Sequence, residues 1–400
     1  MATDTYNPAP DAAPPMRLCM DARMLVSAGG TGVSSYARIL LEAHATISRD
    51  SALLSDRPIL AEPAPAPLGR PGRWLRALVP GARTTRPLTD ASGQDLLVAP
   101  DVFRVAQVYF DVHRRPLRVR LPGPPGIMHW TYPVPLAAIG WHNLYTVHDV
   151  IPLRRPDLTD IDGRRYHRML ARLHEWAAGF IAVSETAREE IVRALSCHPD
   201  FVTDCSLAVD ATPANRADLP AGLTPGGFLL VCGTVERRKN VARLLEAYRQ
   251  SKVTLPLVIA GPDGWGSREI APLLAATQGA IRLPYLDRSA LRALIGHARA
   301  LIMPSLAEGF GLPVAEAMAL GTPVLTSNQG ALAETAGGAA LAVNPEDTAR
   351  LGTALRRLAT DDVLCAKLAK AGRANAERFT PARFAERLTR AYAAVMADPL

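Results

Sequence analysis

From residue 228 onward, short apolar runs alternate with helical patterns, and this alternation constrains the fold more than any other feature of the chain. The runs are Phe228–Cys232, Leu257–Ala260, Ile281–Leu283, Ala300–Met303, Pro323–Thr326 and Ala340–Val343. Nearly every position in them is apolar, as expected for strands buried on both faces. Helical segments between most of them require a parallel sheet covered on both sides, an α/β architecture. In such sheets ligands bind in the crevice beyond the strands' C-terminal ends.

The first half follows the same grammar. A strand over Arg17–Asp21 leads through Ser27-Ala28-Gly29-Gly30-Thr31-Gly32 into a helix from about Val33 to Ala45. Pattern returns with strands at Gly126–His129, Asn143–Val147 and Phe180–Val183, and helices near Arg164–Ala178 and Glu185–Leu195. Residues 211–227 are rich in Pro, Gly and Ala and read as a linker. The expected organisation is therefore a disordered tail at 1–16, two doubly wound Rossmann-like domains at 17–212 and 213–378 with a cleft between them, and a terminal helix at 379–400. Arg57 to Arg120, rich in Pro and Arg, gives no readable pattern.

Composition narrows the class. Hydrophobic residues make up 48% and charged residues 21%, a globular balance. The net charge of +7 comes almost wholly from Arg, since Lys239, Lys252, Lys367 and Lys370 are the only lysines. Five cysteines without a Cys-x-x-Cys pair argue against a disulfide framework or structural zinc and suit the cytosol. No apolar run approaches a membrane span, and the N-terminus lacks the pattern of a signal peptide. Arg70, Arg73, Arg76, Arg83 and Arg86 interleave with Trp74, Leu75, Leu78 and Val79. This stretch suits either the surface of an anionic membrane, the favoured reading, or a solvated loop. No nucleic-acid partner is expected.

The chemistry concentrates in Glu308-Gly309-Phe310-Gly311-Leu312-Pro313-Val314-Ala315-Glu316. A strand runs into a Gly-punctuated loop and then a helix whose free N–H groups make an anion site. Two carboxylates beside such a site suit a sugar nucleotide, with phosphate on the amides and hydroxyls on the acids. Gly233-Thr234-Val235-Glu236-Arg237-Arg238-Lys239-Asn240 follows another strand end, with Asn240 as the expected helix N-cap. Arg238 and Lys239 there suit a diphosphate, the alternative being a solvated basic turn. His148 ends the strand Asn143–Val147. It would bond a sugar hydroxyl, act as a general base, or be a structural histidine held by Asp149. His129-Trp130-Thr131-Tyr132 offers aromatic rings either to a sugar face or to the core. The histidines show no metal spacing, and no metal is expected. A glycosidase pair of acids is disfavoured, because it would leave Arg238, Lys239 and the two Gly loops unexplained.

With Asp21-Ala22-Arg23, Gly29-Gly30-Thr31-Gly32, Tyr36, His148 to Leu153, Val183-Ser184-Glu185 and Leu257 to Pro262 added, the chain resembles the retaining glycosyltransferases of family 4, whose two-domain fold is called GT-B. The Glu-x7-Glu run from Glu308 to Glu316 is the most specific of these segments. The resemblance implies that Glu308 contacts the donor sugar and Glu316 the ribose. Arg238 and Lys239 would hold the diphosphate with amides near Gly311 and Gly30, and His148 would face donor sugar or acceptor. Gly32, Gly233, Gly309, Phe310 and Leu312 complete the implied binding set. It also implies no metal or cofactor, and a last helix that packs back on the first domain. Arg237 stands where relatives often carry Pro, and the Gly loop lacks the Arg that often precedes Tyr36.

The expected activity is transfer of a hexose, mannose favoured, from a nucleoside diphosphate sugar to a lipid-linked saccharide in surface polysaccharide synthesis. GDP-mannose is the first donor and a UDP-sugar the second. The site of action is the cytoplasm, at the inner face of the membrane. Two rivals are a sugar-nucleotide epimerase of the same fold and a non-catalytic sugar-nucleotide-binding scaffold.

Overall fold

The computed structural model describes residues 16–25, 32–56, 68–89 and 95–397. The expectations for the tail at 1–15, for Gly29, Gly30 and Thr31, and for residues 57–67 and 90–94 fall outside them.

Two sheets organise the chain. The first has eight strands in the order Val202–Asp204, Gly179–Ala182, His142–Val147, Ile127–Trp130, Leu18–Asp21, Ser51–Ser55, Asp95–Val98 and Arg86–Thr89. All its pairings are parallel except the last. The second has six parallel strands: Ala280–Leu283, Leu257–Ala260, Leu229–Cys232, Ala300–Met303, Val324–Ser327 and Leu341–Val343. Central strands such as Leu257–Ala260 and Ala300–Met303 are buried at every position, which is why they read as unbroken apolar runs.

The described part of the unreadable stretch is structured. It contributes the helices Arg70–Leu78 and Val102–His113 and the last two strands of the first sheet. A small parallel sheet of Arg83–Thr84, Leu117–Arg120 and Leu136–Ala138 also draws on it. Leu117 and Val119 are buried while Arg118 and Arg120 are exposed, a real alternation too short to stand out. The linker is docked rather than free. Leu219 and Leu223 pack on the second domain's core, and the Gly226 amide donates to the His297 carbonyl at 2.8 Å.

The helix Pro381–Ala397 lies across the first domain. The Tyr392 hydroxyl bonds His44 Nε2 at 2.7 Å and His129 Nδ1 at 2.6 Å, and Phe384 meets the Tyr36 ring edge-on. One apolar cluster joins Leu18, Met20 and Leu40 of the first domain to Phe310 and Ala315 of the second and to Phe379, Phe384 and Leu388. The two sheets therefore meet across an apolar seam, and the polar site sits beside it.

Candidate functional site

The basic turn and the Glu308 loop form one polar assembly at the strand ends of the second sheet. The Leu306 amide donates to the Arg238 carbonyl at 2.9 Å, and Arg238 Nη1 donates to the Ala307 carbonyl at 3.0 Å. Asn240 does not cap its helix as expected. Its backbone is left-handed (φ 59°), and its side-chain amide donates to the carbonyls of Pro304 (3.1 Å) and Pro345 (2.7 Å). The amide thus tethers the turn to the neighbouring loops instead of starting a helix.

Arg238 and Lys239 grip the Glu308 carboxylate from both sides, Arg238 on Oε2 and Lys239 on Oε1 at 2.7 Å. Arg238 also pairs with Glu236 at 2.5 Å. The Glu308 side chain is only 9% exposed. Burial alone would raise its carboxyl, but the two cations outweigh that and hold it at about 2. Burial would strip the proton from Arg238, and Glu308, Glu236 and Asp149 together more than reverse it. The acid and the two cations thus satisfy one another's charge. Arg237 is not part of this cluster: it lies exposed over the Trp265 ring and pairs with Glu269 at 2.8 Å.

Gly311 precedes the helix Leu312–Leu320 with φ 100°, a conformation that side chains rarely adopt, and no side chain caps the helix. Pro313 has no N–H, and the Val314 and Ala315 amides donate to the Gly311 carbonyl (2.9 and 3.3 Å), so the Leu312 amide is what this helix start offers an anion. Glu316 lies one turn in. Its carboxyl is pushed up to about 7, chiefly by burial, against the opposing pull of Arg288 and Arg292. Glu316 and Lys239 both act on the buried Cys232 thiol, which burial raises to about 12, so they share one end of the strand Leu229–Cys232. A Cβ on Gly233 would lie 3.5 Å from the Lys239 side chain, so that glycine lines the lysine rather than an open surface.

Three residues of the implied binding set make packing contacts between the domains. A Cβ on Gly309 would fall 2.2 Å from the His148 carbonyl, so this glycine lets the two domains touch. The Phe310 ring is buried in the seam, 5.3 Å from Phe379, so only its backbone can face a ligand. Leu312 also packs on that seam. Gly32 opens its helix toward free space, with nothing within 4 Å of where a Cβ would be, and Gly30 lies outside the described residues.

The first domain supplies the opposite wall. His148 is not held by Asp149. Its Nε2 lies 2.9 Å from the Thr131 carbonyl, which requires the proton on Nε2 and leaves a lone pair on Nδ1. Burial lowers His148 to about 4, against the raising effect of that bond, so it is neutral at physiological pH. Asp149 instead accepts the Ile151 amide at 2.9 Å. Trp130 is core, stacked on Tyr145, whereas Tyr132 is half-buried beside His148.

Two residues outside the implied set connect the walls. Ser184 accepts the Ala187 amide as a helix cap and donates to the Gly309 carbonyl at 2.7 Å. From the second domain, Glu334 accepts the amides of Glu185 (2.8 Å) and Thr186 (2.7 Å) and the Thr186 hydroxyl. Val183-Ser184-Glu185 stood out in sequence, but nothing local pointed to Glu334. Among the described residues no cluster of metal-ligating side chains occurs, and no helix is long and apolar enough to cross a membrane.

Residues 223–375 match the family model described as glycosyl transferases group 1. That segment belongs to the family. The chain is 33% identical over 252 residues to O-antigen chain mannosyltransferase B of Escherichia coli, covering 59% of this chain and 66% of that one. A serotype-specific mannosyltransferase, WbdA, also of Escherichia coli, is 27% identical over 63% of this chain and 33% of its own. The chain thus spans less than two thirds of these curated relatives. Sucrose-phosphate synthase from Thermosynechococcus elongatus superposes with a TM-score of 0.69 at 18% identity, over 96% of this chain and 99% of that one. The fold is GT-B.

Proposed function

We propose that the chain is a retaining hexosyltransferase, mannose favoured, that uses GDP-mannose and extends a lipid-linked saccharide of a surface polysaccharide. The mannosyltransferase names of its relatives support the sugar, and the Arg238–Lys239–Glu308 cluster supports the reaction. Negative charge grows on the departing diphosphate, where two half-buried cations and a helix N-terminus would meet it. Glu308, freed from those cations by the phosphates, would hold the sugar hydroxyls, and Glu316 the ribose. Attack from the same face, with the leaving oxygen taking the acceptor's proton, needs no covalent nucleophile. Neutral His148 would offer its Nδ1 lone pair to a hydroxyl.

Charge supports contact with an anionic membrane. Residues 68–120 hold ten Arg and four Asp with no Lys or Glu, a net of +6 against +7 for the whole chain. Trp74 (48% exposed), Leu75 (68%), Leu78 (54%) and Val79 (56%) lie on that segment. An apolar patch set among arginines fits an anionic lipid surface.

Thermal shift against a panel of nucleoside diphosphate sugars tests the donor. GDP-mannose should raise the melting temperature most, and Lys239→Ala should abolish the shift. A full shift in that variant would remove the phosphate assignment.

A further inference from the structure

A chain of buried polar side chains runs from the terminal helix toward the cleft, and the donor chemistry uses none of it. The Tyr392 hydroxyl lies between His44 Nε2 (2.7 Å) and His129 Nδ1 (2.6 Å). On the far side of the His129 ring, Nε2 meets the hydroxyls of Thr146 (2.7 Å) and Tyr36 (3.2 Å), which lie 2.5 Å apart. All five side chains are buried, none more than 1% exposed. They come from the helices Gly32–Ile47 and Pro381–Ala397 and from the adjacent strands Ile127–Trp130 and His142–Val147. Apolar side chains would fill this space without desolvating five polar groups, so packing alone does not account for the set. A satisfied buried network rigidifies what it joins.

Burial lowers His44 to about 3 and His129 well below its usual value, so both imidazoles are neutral. Each then has one donor and one acceptor nitrogen. Tyr392 has a single proton for two nitrogens. If it donates to His129, that ring carries its proton on Nε2, and one hydroxyl proton of Tyr36 or Thr146 finds no acceptor within the set. If it donates to His44, every hydroxyl proton is used. Tyr36 then donates to Thr146, Thr146 to His129 Nε2, His129 Nδ1 to Tyr392, and Tyr392 to His44. The bonds therefore run one way, and Tyr392 helps to fix the Tyr36 hydroxyl through His129.

The Tyr36 ring in turn supports His148. The two rings meet edge-on, with centroids 4.9 Å apart and planes at 89°. Tyr132 stacks on His148 at 6.2 Å, and the Thr131 carbonyl accepts its Nε2 proton. The carbonyl fixes one atom of the imidazole, and the two aromatic rings fix the plane in which Nδ1 points. Phe384, from the same terminal helix as Tyr392, also meets Tyr36 edge-on, at 6.4 Å. The terminal helix thus holds Tyr36 at its ring and, through His129, at its hydroxyl. A Tyr36 ring free to tilt would let the imidazole turn about its bond to Thr131. A small turn carries Nδ1 away from any hydroxyl it has to meet.

We propose that Tyr392 is a positioning residue for hexose transfer, acting through His129 and Tyr36 to hold the His148 ring at the angle its Nδ1 needs. This rests on the reading that His148 meets a sugar hydroxyl, and a double-mutant cycle separates the two. Turnover of GDP-mannose with octyl mannoside as acceptor is measured for wild type, Tyr392→Phe, His148→Gln and the double variant. Tyr392→Phe should lower kcat tenfold or more, leave the KM for GDP-mannose unchanged, and cost nothing further in the His148→Gln background. An unchanged kcat, or the same loss in both backgrounds as a merely structural role would give, overturns the proposal. Proton–nitrogen correlation spectra of histidine-labelled protein read the positioning without turnover. In wild type His129 should be protonated on Nδ1 and His148 on Nε2, and the His148 signals should shift or broaden in Tyr392→Phe. Unmoved His148 signals overturn the proposal. So does His129 protonated on Nε2, a result that needs no variant to fold. Full turnover in His148→Gln, or none in wild type, counts against the proposed function instead, and the spectra still decide whether Tyr392 holds the ring.

Discussion

Glu308→Gln keeps the shape of the side chain and removes the charge between Arg238 and Lys239. The carboxyl is held at about 2 against an ordinary 4.5. At about 1.36 kcal/mol per tenfold, that pairing stabilises the fold by about 3 kcal/mol. Arg238 keeps Glu236 in the variant, so the loss should be about 2–3 kcal/mol. Because the folded value lies below the unfolded one, the contribution is complete above about pH 4.5 and fades as pH falls toward 2. Urea unfolding of wild type and variant should differ by that amount at pH 7 and progressively less at lower pH. Function should split the other way. With the internal competitor gone, both cations are available, so GDP should bind as tightly as before or more tightly. Sugar turnover should fall by orders of magnitude. A variant with weaker GDP binding and intact turnover, or equal stability at pH 7, refutes the reasoning.

Further outcomes follow from neighbouring groups. Glu316 has a folded value of about 7, raised above the unfolded one, so its ionisation destabilises the fold as pH rises from about 4.5 to 7. GDP affinity should increase through pH 7 as the carboxylate forms to accept ribose hydroxyls, and Glu316→Gln should flatten that rise in calorimetric titrations. Ser184→Ala removes a helix cap and the bond to the Gly309 carbonyl, which should cost about 1 kcal/mol in urea unfolding. It should also lower kcat by misplacing the Glu308 loop; an unchanged kcat would deny that coupling. Replacing Trp74 and Leu75 with Ser should weaken co-sedimentation with anionic phosphatidylglycerol vesicles at least tenfold while leaving GDP binding intact; undiminished sedimentation would remove the membrane surface.

The strands were legible because burial on both faces writes apolar residues at every position, as in Leu257–Ala260. Glu308, Glu316, Arg238 and Lys239 were legible as a set because a strand end, a glycine and a helix start lie together in sequence. The ion pairs of Arg238 and Lys239 with Glu308 were not, since they span about seventy residues. Asn240 misled for the same reason: its amide answers carbonyls of Pro304 and Pro345, which no local pattern announces. Gly309 was read as part of a binding set, and what approaches it in the fold is the His148 backbone. Residues 70–120 hid their structure because their strands are two to four residues long and several carry arginine on the exposed face.

A crystal structure with GDP bound tests the central claim most directly. The diphosphate oxygens should lie within hydrogen-bond distance of Arg238 and Lys239, with the ribose on Glu316 and Glu308 released toward the vacant sugar position. A nucleotide seated elsewhere, or Glu308 still locked between both cations with the phosphates bound, would contradict it.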